Sequence, residues 1–332
     1  MQLKSRNPAI DLAKYVAAIL VIGIHTRPLN DLSGVADFWF VEVICRLAVP
    51  LFAVCTGFYL YCPTLATTSK CSSFRHSWLR ILKMYLGWSM FYLLIHLFSW
   101  HQAGTLCWTY FIGWVKGTFI SASYYHLWYF VALLYAMLWH RIVCGFVSSK
   151  FWPVLIVALW SMEVLAYAYR PFFPELQSYY SIYDTLSTVA VSATRLLPLL
   201  LLGSWTAHWA HRWSWSLTWS VAMVLLCFAA LCFEVGWLRQ CEASRYSYII
   251  FTLPTTFFLF IALLKSGERL QFDSRWFAKI SMVVYCIHPA VIFGIELVSK
   301  HVTAHYLFML TGIISTLFGL AYVSVKEKLS AL

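Results

Sequence analysis

Asp11, Lys14 and His25 are ionisable residues inside an apolar run, IDLAKYVAAILVIGIHTRPL at residues 10–29, that is long enough to cross a bilayer. At about 100° per helical residue the three fall within an arc of roughly 60° on one face, with Asp11 and His25 roughly 21 Å apart along the axis. Charge at membrane depth costs about 2.5 kcal/mol or more per residue, so this face is expected to look onto protein interior or a wet cavity. Two plainer arrangements fit the same residues: Asp11 and Lys14 paired in the headgroup zone, and His25 as a helix-packing histidine. Three such groups on one face favour a site. An imidazole on such a face can exchange a proton near physiological pH.

Other polar groups recur where apolar ones are expected. Glu42 and Arg46 stand four apart, followed by Pro50 and Gly57; they suit either a helix-stabilising ion pair or a buried site. Arg75, Arg80 and Lys83, with Lys70, make a basic cluster at the start of a later run. Such a cluster anchors topology against anionic lipid, or captures a polyanionic phosphate compound. His126 opens another run within Tyr124-Tyr125-His126-Leu127-Trp128-Tyr129, Arg195 precedes Pro198 and Gly203, and Ser281, Tyr285 and His288 precede Pro289. Lys14, His25, Arg46, Arg195 and His288 thus sit inside apolar runs with few carboxylates to neutralise them, which suggests an anionic ligand.

The elements that position these groups follow from composition. The chain has 332 residues, 61% hydrophobic and 11% charged, which is too apolar for a soluble domain and reads as an all-α polytopic membrane bundle. Ten spans are expected, at about 9–28, 38–62, 77–99, 126–145, 151–170, 186–208, 216–237, 246–265, 277–298 and 303–325. Residues 104–121 are short and glycine-interrupted and read as an interfacial or re-entrant segment. With the N-terminus inside, fifteen of the 24 Lys and Arg fall in inner segments, including Lys4 and Lys70, and Lys14, Arg46 and Arg195 lie within spans. The other six are outside: Arg27, Lys116, Arg170, Arg239, Arg245 and Lys300. That bias predicts both termini in the cytoplasm. It also accounts for the net charge of +11 without nucleic acid. A cleavable signal peptide and an appended soluble enzyme are not expected in these residues. The ten cysteines show no metal-ligand spacing. Cys107 and Cys241 share the predicted outer side, where a disulfide is conceivable but not expected.

Taken in order, these residues resemble the acyltransferase-3 family of bacterial integral-membrane acyltransferases. The resemblance is carried by I-D-x-x-K…H at Ile10 to His25, R-x-x-V-P-L-F-x-x-x-T-G-F at Arg46 to Phe58, and R-x-x-x-x-R-I-L-x-x-Y at Arg75 to Tyr85. It continues with H-L-W-Y at His126 to Tyr129, R-x-x-P-x-x-x-x-G at Arg195 to Gly203, and S-x-x-x-Y-x-x-H-P at Ser281 to Pro289. The Arg-x-x-Val-Pro form and His-Thr-Arg-Pro-Leu look most like the membrane domain of vancomycin-resistance serine racemases, without the racemase domain. The chain departs from many members at Lys14 (arginine there), Pro50 (aspartate) and Thr56 (serine). Lysine keeps the charge but loses the bidentate fork.

The resemblance implies transfer of an acyl group, usually acetyl, from cytoplasmic coenzyme A to a hydroxyl of a carbohydrate or cell-envelope acceptor, at the bacterial inner membrane. It also implies that His25 is the catalytic histidine. Glu42 is then a candidate to orient His25, and Arg46 and His126 are candidate donors to the thioester oxyanion. Lys14, Arg75, Arg80 and Lys83 would hold the donor's phosphates, and Arg195, Tyr285 and His288 complete the set assigned to the donor. Acyl-CoA is a substrate here, and neither a resident cofactor nor a metal is expected. The His-x-x-x-x-Asp motif of glycerolipid acyltransferases is absent, since Asp31 follows His25 one residue too late. Two competing readings are a carrier for a small amino acid or anion, for which no inverted repeat is visible, and a non-catalytic membrane scaffold.

Overall fold

The computed structural model describes residues 6–61, 70–212, 214–241, 243, 245–299 and 301–330. Lys4 and Lys300 lie outside the described residues, as does the side chain of Lys70. The described chain is helical almost throughout and contains no β-strand. Thirteen α-helices follow in order among the described residues. They are α1 (Pro8–Thr26), α2 (Gly34–Trp39), α3 (Ala48–Tyr61), α4 (Lys70–Gln102), α5 (Trp108–Ile120), α6 (Trp128–Phe146) and α7 (Trp152–Ala166). They continue as α8 (Gln177–Val191), α9 (Leu197–Trp209), α10 (Leu217–Gln240), α11 (Thr252–Gly267), α12 (Arg275–Val298) and α13 (Ala304–Ser330).

Eight stretches among the described residues are long and apolar enough to cross a membrane, and α7 and α11 are shorter apolar helices. The chain is a multi-pass membrane bundle. Residues 104–121 supply α5, whose 13 residues reach roughly 20 Å, short of a hydrocarbon core of about 30 Å. A break at residues 121–124 and a 3₁₀ turn, Tyr125–Leu127, then lead into α6.

Irregular turns join α2 to α3 and α8 to α9. A π turn at Phe40–Ile44 and a 3₁₀ turn at Cys45–Leu47 make the first junction, and a π turn at Ser192–Leu196 makes the second. Each junction lies just before a proline, Pro50 or Pro198. A proline lacks the N–H that would bond four residues back, and its ring crowds that carbonyl, so the helix widens or tightens upstream.

Helix α1 lies at the centre, packed on α3, α11, α12 and α13. Its start is fixed by Asn7, whose side chain accepts from Ile10 N at 3.1 Å and donates to Leu264 O at 3.0 Å. Its end is closed by Arg27, a left-handed residue (φ 48°) whose N–H reaches Gly23 O. Helices α3 and α9 cross with backbones in contact: a Cβ on Gly57 would stand 2.0 Å from Leu200 O, and one on Gly203 2.0 Å from Val54 O. Only glycine permits that approach. Ser204 Oγ donates to Gly57 O at 2.8 Å across the crossing and bonds to His140 Nε2 at 2.7 Å.

Candidate active site

Helices α1 and α12 run parallel, and one hydrogen bond sets their register: Ser274 Oγ donates to Asp11 Oδ2 at 2.7 Å. His25 and His288 each lie fourteen residues beyond that pair, so both rise roughly 21 Å and reach the same height. Their rings meet with centroids 5.4 Å apart and planes 26° from parallel. His126, on the 3₁₀ turn before α6, completes the cluster edge-on to His288 at 5.3 Å.

Surrounding hydroxyls bond the backbone that carries these rings. Tyr285 Oη donates to His126 O at 2.7 Å, and Tyr92 Oη donates to Cys286 O at 2.7 Å. Tyr92 also stacks on Tyr124 at 4.2 Å and stands edge-on to His126 at 5.0 Å. His25 is accessible, with its ring 4.9 Å from Tyr125. His126 and His288 are buried, at 1% and 0% exposure. Among the described residues neither nitrogen of His126, nor Nε2 of His288, has a hydrogen-bond partner. Buried polar atoms are otherwise nearly always paired, so these nitrogens mark a place for a polar group from outside the chain.

Beside His25 runs a row of alternating charge. Asp37, fully buried, accepts from Arg27 Nε at 2.9 Å and from Leu29 N at 3.1 Å. Glu42 lies 3.9 Å from Arg27 and accepts from Arg46 Nε at 3.0 Å and Nη2 at 3.3 Å. The orienting contact expected between Glu42 and His25 is not made among the described residues, because both Glu42 oxygens face arginines. Asp11 likewise pairs with Arg6 at 2.8 Å rather than with Lys14. Lys14 Nζ lies 4.8 Å over the Tyr59 ring, without an ion pair among the described residues.

Arg195 corrects the expectation of uncompensated charge. Its Nε and Nη2 contact Glu163 Oε1 at 2.7 and 2.6 Å, and Tyr183 Oη and Thr194 Oγ1 each donate to Glu163 Oε2 at 2.7 Å. Glu163 lies inside the apolar run of α7, a position that marks it in the sequence. The face of Arg195 is covered by Tyr248 at 3.9 Å. Tyr248 adopts the left-handed region at φ 45°, which costs of order 1–3 kcal/mol for a non-glycine residue. No sequence signal announces that conformation. Arg46 and Arg195 are thus both neutralised, while Lys14 stands inside its span without a carboxylate partner among the described residues.

Arg75, Arg80 and Lys83 are exposed along α4, with no ion pair among the described residues. Arg80 precedes Tyr92 by twelve residues and Lys14 precedes His25 by eleven, so along their helix axes they lie roughly 16–18 Å from Tyr92 and from His25, toward the same end. Cys107 and Cys241 are free.

The match to known sequences covers this whole arrangement: the acyltransferase domain profile of the acyltransferase-3 family aligns with residues 7–324. The chain belongs to the acyltransferase-3 family. Among curated proteins it is 25% identical over 342 residues to an amino-acid racemase of Enterococcus faecalis, covering 98% of this chain and 47% of that protein. It is 25% identical over 311 residues to a serine/alanine racemase of Enterococcus gallinarum, covering 90% of this chain and 43% of that protein. The chain therefore spans about half the length of these relatives. No solved structure matches it. Within this chain, Lys14 rests on Tyr59, Pro50 follows the irregular turns, and Thr56 Oγ1 donates to Phe52 O at 2.9 Å.

Proposed function

We propose that the protein is an acyl-CoA-dependent membrane O-acyltransferase that moves an acyl group, acetyl first among the candidates, to a hydroxyl of a carbohydrate or cell-envelope acceptor. The observation that carries this reading is the convergence of three imidazoles, one of them accessible, at one height in the bundle. Cations without a carboxylate partner among the described residues stand roughly 16–18 Å along the helix axes from His25 and Tyr92, toward a single end. An acceptor hydroxyl is too weak an acid to attack a thioester unaided. His25 takes its proton as the oxygen bonds to the thioester carbonyl, Arg46 and His126 face the oxyanion, and the proton passes to the departing sulfur. Lys14, Arg75, Arg80 and Lys83 bind the nucleotide phosphates, and salt weakens that binding. With the N-terminus in the cytoplasm, the donor approaches from the inner side and the acceptor from the outer.

The test is purified protein in detergent with acetyl-, propionyl- and succinyl-CoA. Thermal stabilisation and thiol release are measured, followed by mass spectrometry of envelope glycans and of serine, whose hydroxyl the relatives' names bring into the acceptor panel. Stabilisation by at least one thioester is expected, with turnover lost in His25→Ala. A protein that neither binds nor cleaves any acyl-CoA, yet moves labelled amino acid across a proteoliposome membrane, is a carrier instead.

A further inference from the structure

Pro289 leaves the Tyr285 carbonyl without its intrahelical partner, since the missing N–H is the one that would bond four residues back. His288 fills the gap: its Nδ1 lies 2.7 Å from Tyr285 O and 3.3 Å from Val284 O. Both neighbours are carbonyls, which only accept, so Nδ1 carries the proton and Nε2 of the neutral ring carries the lone pair. That Nε2 is buried, has no partner among the described residues, and belongs to the ring beside His25.

We propose that His288 is the positioning residue for His25, acting as a neutral hydrogen-bond acceptor. The chain of contacts runs from the Tyr285 carbonyl to His288 Nδ1–H, and from His288 Nε2 to an N–H of His25. The other His25 nitrogen is thereby left bare for the acceptor hydroxyl. This rests on the acyltransferase reading and deepens it. As the hydroxyl proton moves to His25, the new C–O bond forms and the C–S bond breaks, the sulfur receives that proton, and His288 keeps its own throughout. At a ring separation of 5.4 Å the bond is not made in the resting site, where Nε2 has no partner among the described residues; it forms when substrate binds and the rings shift. The logic is that of the third member of a catalytic triad, with a lone pair fixed by a proline in place of a carboxylate.

Two variants of the full-length protein separate this role from helix capping. In His288→Asn the amide N–H₂ still reaches the Tyr285 carbonyl, but nothing stands where Nε2 was. In His288→Gln an amide oxygen reaches that place. With acetyl-CoA as probe and water as acceptor, His288→Asn is expected to lower kcat by about 10²-fold, far more than it changes KM, with Tm unchanged. His288→Gln is expected to recover part of the loss. A His288→Asn protein with wild-type kcat overturns the assignment. So does ¹⁵N-histidine NMR in which the signal removed by His288→Asn is a ring protonated at Nε2. Absence of thioester turnover in the wild-type protein sinks the acyltransferase reading itself and the His288 role with it.

Discussion

Replacing Glu163 by glutamine tests the most deeply buried charge pair among the described residues. Glu163 is 0% and Arg195 8% exposed, and the carboxylate takes four contacts of 2.6–2.7 Å, two from Arg195 and one each from Tyr183 and Thr194. An amide in its place accepts on one edge only, and its N–H₂ group faces either the guanidinium or the two hydroxyls. The larger loss is electrostatic, because Arg195 stays charged and buried without a counter-ion. Breaking such a pair from one side costs about 3–5 kcal/mol. For a chain of 332 residues unfolding as a unit, that corresponds to a fall in Tm of roughly 4–7 °C. Thermal unfolding in detergent with a thiol-reactive dye reads it directly, since Cys55 and Cys286 are buried free thiols. Removing both charges together, in Glu163→Gln with Arg195→Met, is expected to restore most of the loss. A single Glu163→Gln variant melting within about 1 °C of wild type, against the several degrees expected for a broken buried pair, would show that Arg195 is solvated or otherwise compensated.

Three further outcomes are expected. Gly203→Ala places a Cβ 2.0 Å from the Val54 carbonyl oxygen and costs about 1–3 kcal/mol or more by thermal unfolding. Gly87→Ala, on α4 with nothing within 4 Å of its Cβ, is neutral or slightly stabilising; equal effects at the two sites would refute the tight crossing. Arg80→Ala with Lys83→Ala raises KM for acetyl-CoA while leaving kcat within about twofold, as loss of binding shared by ground and transition states does. The wild-type KM also rises with salt, and a salt-independent KM would remove these residues from the donor site. His25→Ala loses thiol release but keeps stabilisation by CoA, so loss of that stabilisation would make His25 a binding residue instead.

Much of this architecture is legible in the residue pattern, and the prolines explain why. Pro50, Pro198 and Pro289 each stand within four residues of a polar group conspicuous in its apolar run, Arg46, Arg195 or His288, and at Pro289 the reason is visible, since the freed Tyr285 carbonyl is met by His288 Nδ1. The spans are legible for a simpler reason: runs of about 20 apolar residues have one stable solution in lipid. Pairings are harder to read. Glu163 and Arg195 are 32 residues apart in sequence, and only the packing of α7 against α9 and against the π turn at Ser192–Leu196 brings them together. The pairing of Asp37 with Arg27 is hidden for the same reason, since it depends on how the chain folds back after α1. The left-handed conformation of Tyr248 depends on tertiary contacts around it, and no local residue pattern encodes it.

Helices that meet with no side chain between them can slide or part only together. The α3–α9 crossing at Gly57 and Gly203, clasped by Ser204 and His140, therefore acts as a fixed wall of the bundle. By contrast, α4 and the turn bearing His126 meet α12 through side chains, the hydroxyls of Tyr92 and Tyr285 and the ring of His126, so that contact is set by residues that substitution can change one at a time.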